Sequence, residues 1–161
     1  MSPSELIAQW HFRNHRVQLA HYESARRFER LHLWLGLPAI AFSTLVGTTV
    51  FATLSKTTDL WVQILVGFLS VFAAVLMGLQ TFLKYSELAE KHRMAGAKFA
   101  NLKHRIELLA TLPPATESEL KEALATIEES WSKLREESPT LPTQVWRHIE
   151  KTVTFEKSHL Q

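Results

Sequence analysis

Eight histidines and sixteen carboxylates carry the chain's potential for metal or acid–base chemistry, since its 161 residues include no cysteine. His11 and His15 stand four apart, one helical turn, so both imidazoles could face a single metal ion. His21 and Glu23 would complete that set only if the helix breaks between them. His104 and Glu107 have the three-residue spacing of half a helical-bundle metal site, but the sequence offers no second half. No metal site is therefore expected. Glu87 and Glu90 lie beside Lys84 and Lys91 at helical spacing, and ion pairs explain them more simply than a pair of catalytic carboxylates. GxSxG, Walker, GxGxxG and HExxH patterns are all missing, so the chain reads as a non-enzyme with no catalytic residues and no cofactor.

The elements that hold these residues are set by how charge is distributed. The net charge of +2 is too small for bulk nucleic-acid binding, so no nucleic-acid partner is expected. Mean hydropathy is −0.05, an average that conceals a sharp division. Between His32 and Lys84 the only charges are Lys56 and Asp59. Leu33 to Ser55 is 23 uncharged residues and Leu60 to Leu83 is 24 more. A helix of about 20 apolar residues crosses a hydrocarbon core. The short connector, residues 56–59, makes the two spans an antiparallel hairpin. Thirty-two residues precede the first span, too many for a cleaved signal peptide.

Lys and Arg set the orientation. Arg13, Arg16, Arg26, Arg27 and Arg30 precede the first span, and Lys84, Lys91, Arg93, Lys98, Lys103 and Arg105 follow the second. The connector carries only Lys56, so both termini are expected in the cytoplasm. Trp34 and Trp61 stand near the span ends, where indole rings favour the membrane interface. Arg26, Arg27, Arg30 and Lys84 lie where anionic lipid headgroups would be.

Small residues recur every four positions in the spans: Ala39, Ser43 and Gly47 in the first, Ser70, Ala74 and Gly78 in the second. Such faces let helices approach closely in lipid, so Ser43, Gly47, Ser70, Ala74 and Gly78 are expected to pack the spans. Thr44, Thr48, Thr49, Thr53, Gln63, Ser70, Gln80 and Thr81 add polarity without charge. That set also fits the wall of a multimeric pore. Thr44, Thr48, Thr49 and Phe51 of the first span are the candidate lining, with Pro38 as a hinge.

Outside the spans the pattern is helical. Ser2-Pro3-Ser4-Glu5 reads as a helix start, and the helix should run towards Leu31, with a break near Asn14. Tyr85, Leu88, His92, Ala95, Phe99, Leu102, Ile106 and Leu109 alternate in steps of three and four, a heptad seam. Extended backwards it meets Thr81, Gly78 and Ala74, which predicts one helix from about Leu60 to Leu112, ended by Pro113 and Pro114. Tyr85, Leu88, Phe99, Leu102, Ile106 and Leu109 are the candidate oligomerisation residues. Thr116 to Glu119 form a second capping box, before an acidic helix with a seam of Leu120, Leu124, Ile127, Trp131 and Leu134. Its natural partner is the basic stretch 84–107, net +3. A last short helix follows Pro139 and Pro142. The expected fold is all-α: an integral membrane two-helix hairpin with long cytoplasmic helical extensions, assembled as an oligomer. Its parts are a cytoplasmic amphipathic helix (1–32), the hairpin (33–83) and cytoplasmic helices (84–161).

The stretch HYESARRFERLHLWLGLPAIAFSTLVGTTVFATL, followed by GLQTFLKYSELAEKHRMAGAKFANLKHRIE, resembles the SLATT domain, a two-transmembrane effector domain of bacterial conflict systems. Tyr22, Ala25, the Leu35-Gly36-Leu37-Pro38 turn, Ser43, Gly47 and the run from Gly78 to Phe82 carry the likeness. Arg93, Ala97, Phe99 and Leu102 extend it beyond the second span. The resemblance implies a pore-forming effector that permeabilises the bacterial inner membrane in abortive infection. It implies a trigger from a separate cytoplasmic nucleotide-signal generator or sensor protein, and supplies no catalytic residues. The alternative is a non-conducting, membrane-anchored coiled-coil scaffold that recruits signalling partners.

Overall fold

The computed structural model describes residues 2–53 and 59–153, the backbone alone at Thr53. Connector residues 56–58 and the end of the first expected span, Leu54 and Ser55, lie outside the described residues, as do residues 154–161. Among the described residues five helices follow in order: α1 (Pro3–Thr53), α2 (Leu60–Leu83), α3 (Tyr85–Thr111), α4 (Glu117–Glu137) and α5 (Thr143–Thr152). There is no strand among the described residues. Both expected capping boxes form. Ser2 Oγ accepts from the Glu5 amide at 3.2 Å and the Ser2 amide donates to Glu5 Oε2 at 2.8 Å. Thr116 and Glu119 exchange the same pair of bonds.

Two sequence expectations fail at helix boundaries. The break near Asn14 is absent, and α1 runs unbroken for 51 residues, through Pro38 as well. An Asn interrupts a helix when its side chain competes for local backbone groups. Here Asn14 Nδ2 is drawn to a distant acceptor and donates to the Phe99 carbonyl of α3 at 2.8 Å. The continuous helix from Leu60 to Leu112 is instead two helices. Lys84 separates them in the left-handed conformation, φ 47° and ψ 38°. A side chain in that region crowds its own backbone and costs roughly 1–2 kcal/mol.

The chain packs as two units, one from the residues up to Arg26 together with those from Ala89 onwards, the other from Arg27 to Leu88. In the first unit Ile7 of α1, Phe99, Leu102, Ile106 and Leu109 of α3, and Ile127 and Trp131 of α4 form one core. Trp10 meets Trp131 edge to face, with ring centroids 6.0 Å apart. The α5 residues Val145 and Ile149 close over Ala20. Burying each Leu, Ile or Phe stabilises by about 1.5–3 kcal/mol, so this core outweighs the unit's surface ion pairs. The expected pairing of basic α3 with acidic α4 holds at the ion pair of Lys98 Nζ with Glu137 Oε2 at 2.9 Å and at the hydrogen bond from Arg105 Nη1 to Ser130 Oγ, beside a largely apolar contact.

In the second unit α1 and α2 form the hairpin. Among the described residues two helices are long and apolar enough to cross a membrane. Only 11% and 6% of their most apolar 18-residue stretches is buried, so neither is a buried core helix within this chain. Gly36, Ala39 and Ala73 are the buried residues between the spans. Phe42 meets Phe72 at 5.4 Å.

Candidate membrane-embedded site

The hairpin's contact faces follow from helical spacing. The less exposed positions on α2 are Val66, Leu69, Ala73, Leu76 and Gln80, a strict alternation of three and four. On α1 the matching set is Leu35, Ala39, Phe42, Val46 and Thr49. Of the small-residue faces singled out in the sequence, Ala39 lies in this seam, Gly47 is half-buried and Ser70 borders the groove between the spans. Ser43, Ser70, Ala74 and Gly78 are exposed, and a Cβ added at Gly47 or Gly78 would meet nothing within 4 Å. Ser43, Ala74 and Gly78 thus stand outside the contact between the two spans of one chain. One residue along a helix turns the face by about 100°, and the seam uses Ala73 where the sequence reading used Ala74. Larger side chains, Phe42, Val46, Val66 and Leu69, fill the contact instead.

Polar groups in the hairpin divide into three sets. Gln80 reaches across from α2 to the His32 ring at 3.3–3.4 Å, beside Gly36. Thr49, Gln63 and Ser70 line a valine-walled groove of about 380 Å³ between the spans, next to Gly67. Thr44 and Thr48 are exposed, about 140° and 180° around α1 from the buried Ala39. Both hydroxyls donate to their own helix, Thr44 to the Ile40 carbonyl at 2.9 Å and Thr48 to the Thr44 and Leu45 carbonyls at 3.0 Å. Thr49 does the same towards Leu45 at 2.8 Å. Their hydrogens are thereby satisfied without water, while the oxygen lone pairs stay available to whatever lies against this face. Phe51, the fourth lining candidate, is exposed beside them, as are Trp34 and Trp61 near the span ends.

The candidate oligomerisation residues lie elsewhere than on a free surface. Phe99, Leu102, Ile106 and Leu109 are buried in the chain's own core. Tyr85 and Leu88 are half-buried, with Tyr85 stacked on Phe28 at 5.9 Å. The heptad exists, but α1 and α4 of the same chain cover its core positions.

The histidines meet in ways the sequence could not show. His11 Nε2 lies 2.9 Å from Glu107 Oε1, and His104 Nδ1 lies 3.0 Å from Glu107 Oε2. The His11–His15 turn thus faces the His104–Glu107 turn, as the missing half would have to. Lys103 Nζ is also 3.5 Å from Glu107, and no group of three His, Asp or Glu able to hold a metal ion exists among the described residues. The hydrogen bond from His11, with Lys103 and His104 adding to it, holds the Glu107 carboxyl below its usual range. Burial, with the charge of Lys103, lowers His15. His21 and His92, 2% and 1% exposed, place their Nδ1 atoms 3.0 Å apart, and the His21 ring stacks on Phe99. Burial and the neighbouring His92 push His21 down to about 4, and burial lowers His92.

No family model, curated protein or solved structure matches this chain.

Proposed function

We propose that the chain is one subunit of a homo-oligomeric pore that permeabilises the bacterial inner membrane, the effector of an antiviral defence system. Two spans cannot enclose water, so conduction requires several copies around an axis. The observation that carries the reading is the position of Thr44 and Thr48. They lie on a face of α1 turned away from α2, where hairpin packing has no use for them. Their lone pairs line the lumen and favour cations weakly, since no charged ring accompanies them. Phe51 and Leu45 on the same exposed surface close the neck by excluding water.

The excess of Lys and Arg outside the connector supports an orientation with both termini cytoplasmic. Arg27, Arg30 and Lys84 flank the spans and suit anionic lipid headgroups. The resemblance to the SLATT domain supplies the defence role and a trigger from a separate cytoplasmic nucleotide-signal generator or sensor.

Ion flux from liposomes carrying the purified protein tests the lining. Thr48→Leu lowers flux without changing particle size, whereas Ser70→Leu leaves flux near that of the unaltered chain. Loss of flux in Ser70→Leu alone transfers the lumen to α2.

A further inference from the structure

Among the described residues of the unit containing α3 to α5, the large apolar side chains left exposed are Met94, Leu108 and Leu112, at 55%, 60% and 75%. Met94 and Leu108 fall on one stripe of α3, and Leu112, the residue after its end, continues that stripe. Met94, Lys98, Asn101, Arg105, Leu108 and Leu112 follow steps of four and three, and all six are exposed. This second heptad lies about 100° around α3 from the buried one, on the flank where Lys98 and Arg105 reach α4 of the same chain. Its charges are both basic, seven residues apart.

The outer surface of α4 carries the opposite character at the same period. Glu122, Ala125, Glu129 and Glu136 are exposed in steps of three, four and seven, about half a turn from the buried Ile127. None of the three carboxylates has an ion-pair partner among the described residues. Within one chain α3 and α4 run antiparallel. Lys98 meets Glu137, and seven residues further along α3, Arg105 Nη1 donates to Ser130 Oγ at 3.1 Å. In a ring whose axis follows the helices, α3 of one copy and α4 of the next keep that antiparallel sense.

We infer that the outer stripe of α3 docks on the acidic outer stripe of α4 of a second copy, a head-to-tail contact that closes into a ring. Arg105 then faces Glu129 of the neighbour and Lys98 faces its Glu136, because each pair is seven residues apart and runs in opposite order. Leu108 sits over Ala125, small enough to admit it. Leu112 covers the stem of Glu122. Lys98 shares its charge between Glu137 of its own chain and the neighbour's carboxylate, and Arg105, which keeps one N–H on Ser130 of its own chain, turns the others of its five donors to the neighbour. The contact is heterologous, so different faces of the two copies meet, and each copy is left with one of each to continue the ring. The inference rests on the oligomeric pore reading and names the cytoplasmic surface through which it assembles.

The chain contains no cysteine, so single thiols report on this contact directly. Full-length chains carrying Leu108→Cys and differently tagged chains carrying Ala125→Cys are co-expressed, extracted in detergent and oxidised. Disulfide-linked pairs are expected from the mixture, with little product from either chain alone. Arg105→Glu and Glu129→Arg are each expected to reduce the particle to a monomer with helicity retained, and the two together in one chain to restore it. Leu108→Cys chains that pair with one another as readily as with Ala125→Cys chains overturn the head-to-tail geometry. A mixture without disulfide, charge reversals that leave particle size untouched, or protection of the Leu108→Cys thiol by anionic vesicles or by another protein overturn the proposed occupant. Current from particles lacking this disulfide keeps the pore and removes the interface; linked particles without current do the reverse.

Discussion

The carboxamide of Gln80 occupies the space where a side chain on Gly36 would be. A Cβ built there would stand 2.9 Å from Nε2 and 3.3 Å from Oε1. The missing side chain at Gly36 lets a polar group inside a span reach the His32 ring. A carboxamide without a partner in an apolar setting costs about 1–3 kcal/mol. Gly36→Ala is therefore expected to destabilise the hairpin by roughly that amount in a detergent unfolding titration. Adding Gln80→Ala to the same chain should recover part of the loss, because the clash disappears. Equal losses in the single and double variants would show that the two residues are not coupled.

Gly96 of α3 has the same relation to a stiffer neighbour. A Cβ there would meet Cδ1 and Cε1 of the Tyr22 ring at 3.0 Å and Cζ at 3.2 Å. A ring cannot fold aside as a carboxamide can. Gly96→Ala gains helix propensity of about 1 kcal/mol, but forcing the ring away costs about 1–3 kcal/mol. The expected net result is a loss of stability, larger again for Gly96→Val, in thermal unfolding followed by circular dichroism. A stabilised Gly96→Ala chain would contradict the contact.

The buried imidazole pair makes stability depend on pH. His21 is held neutral in the fold down to about 4, while the unfolded chain takes up its proton near 6.5. The unfolded state thus binds more protons between those values, so stability is complete above about 6.5 and falls as pH drops towards 4. The loss approaches roughly 3 kcal/mol across that window. Urea unfolding at pH 7.5 and 5.0 should show the decline, and replacing both residues, His21→Leu with His92→Leu, should flatten it. An unchanged slope in the double variant would remove the pair as its source.

Lys84 holds a left-handed backbone that glycine adopts without strain. Lys84→Gly is expected to stabilise the folded chain by up to about 1 kcal/mol, partly offset by glycine's greater freedom when unfolded. Lys84→Val should be clearly destabilising, since a β-branched side chain tolerates that region poorly. Both are measured by the same thermal unfolding.

Features of this fold that depend on neighbours in sequence were readable. Ser2 with Glu5 and Thr116 with Glu119 are local pairs, and each forms the cap its spacing implies. The apolar runs gave both long helices because length and absence of charge suffice. The seam through Phe99, Leu102 and Ile106 was legible as a period, but a period does not say which chain covers it. The α1 and α4 helices of the same chain do. The left-handed turn at Lys84 carries no glycine or asparagine to announce it. The meeting of His11 with Glu107, 96 residues apart, and of Asn14 with the Phe99 carbonyl, 85 apart, depends on tertiary packing. In the second span two stripes one position apart satisfy the same spacing, and only the neighbouring helix chooses between Ala73 and Ala74.

Single-channel recording from the purified full-length chain in planar bilayers of anionic lipid is the most direct measurement of the pore reading. Discrete current steps of uniform size, with weak preference for cations and reduced amplitude in Thr48→Leu, are the predicted result. Protein that inserts with both spans across the bilayer, assembles, and passes no current at any applied potential would contradict it and leave the hairpin as an anchor.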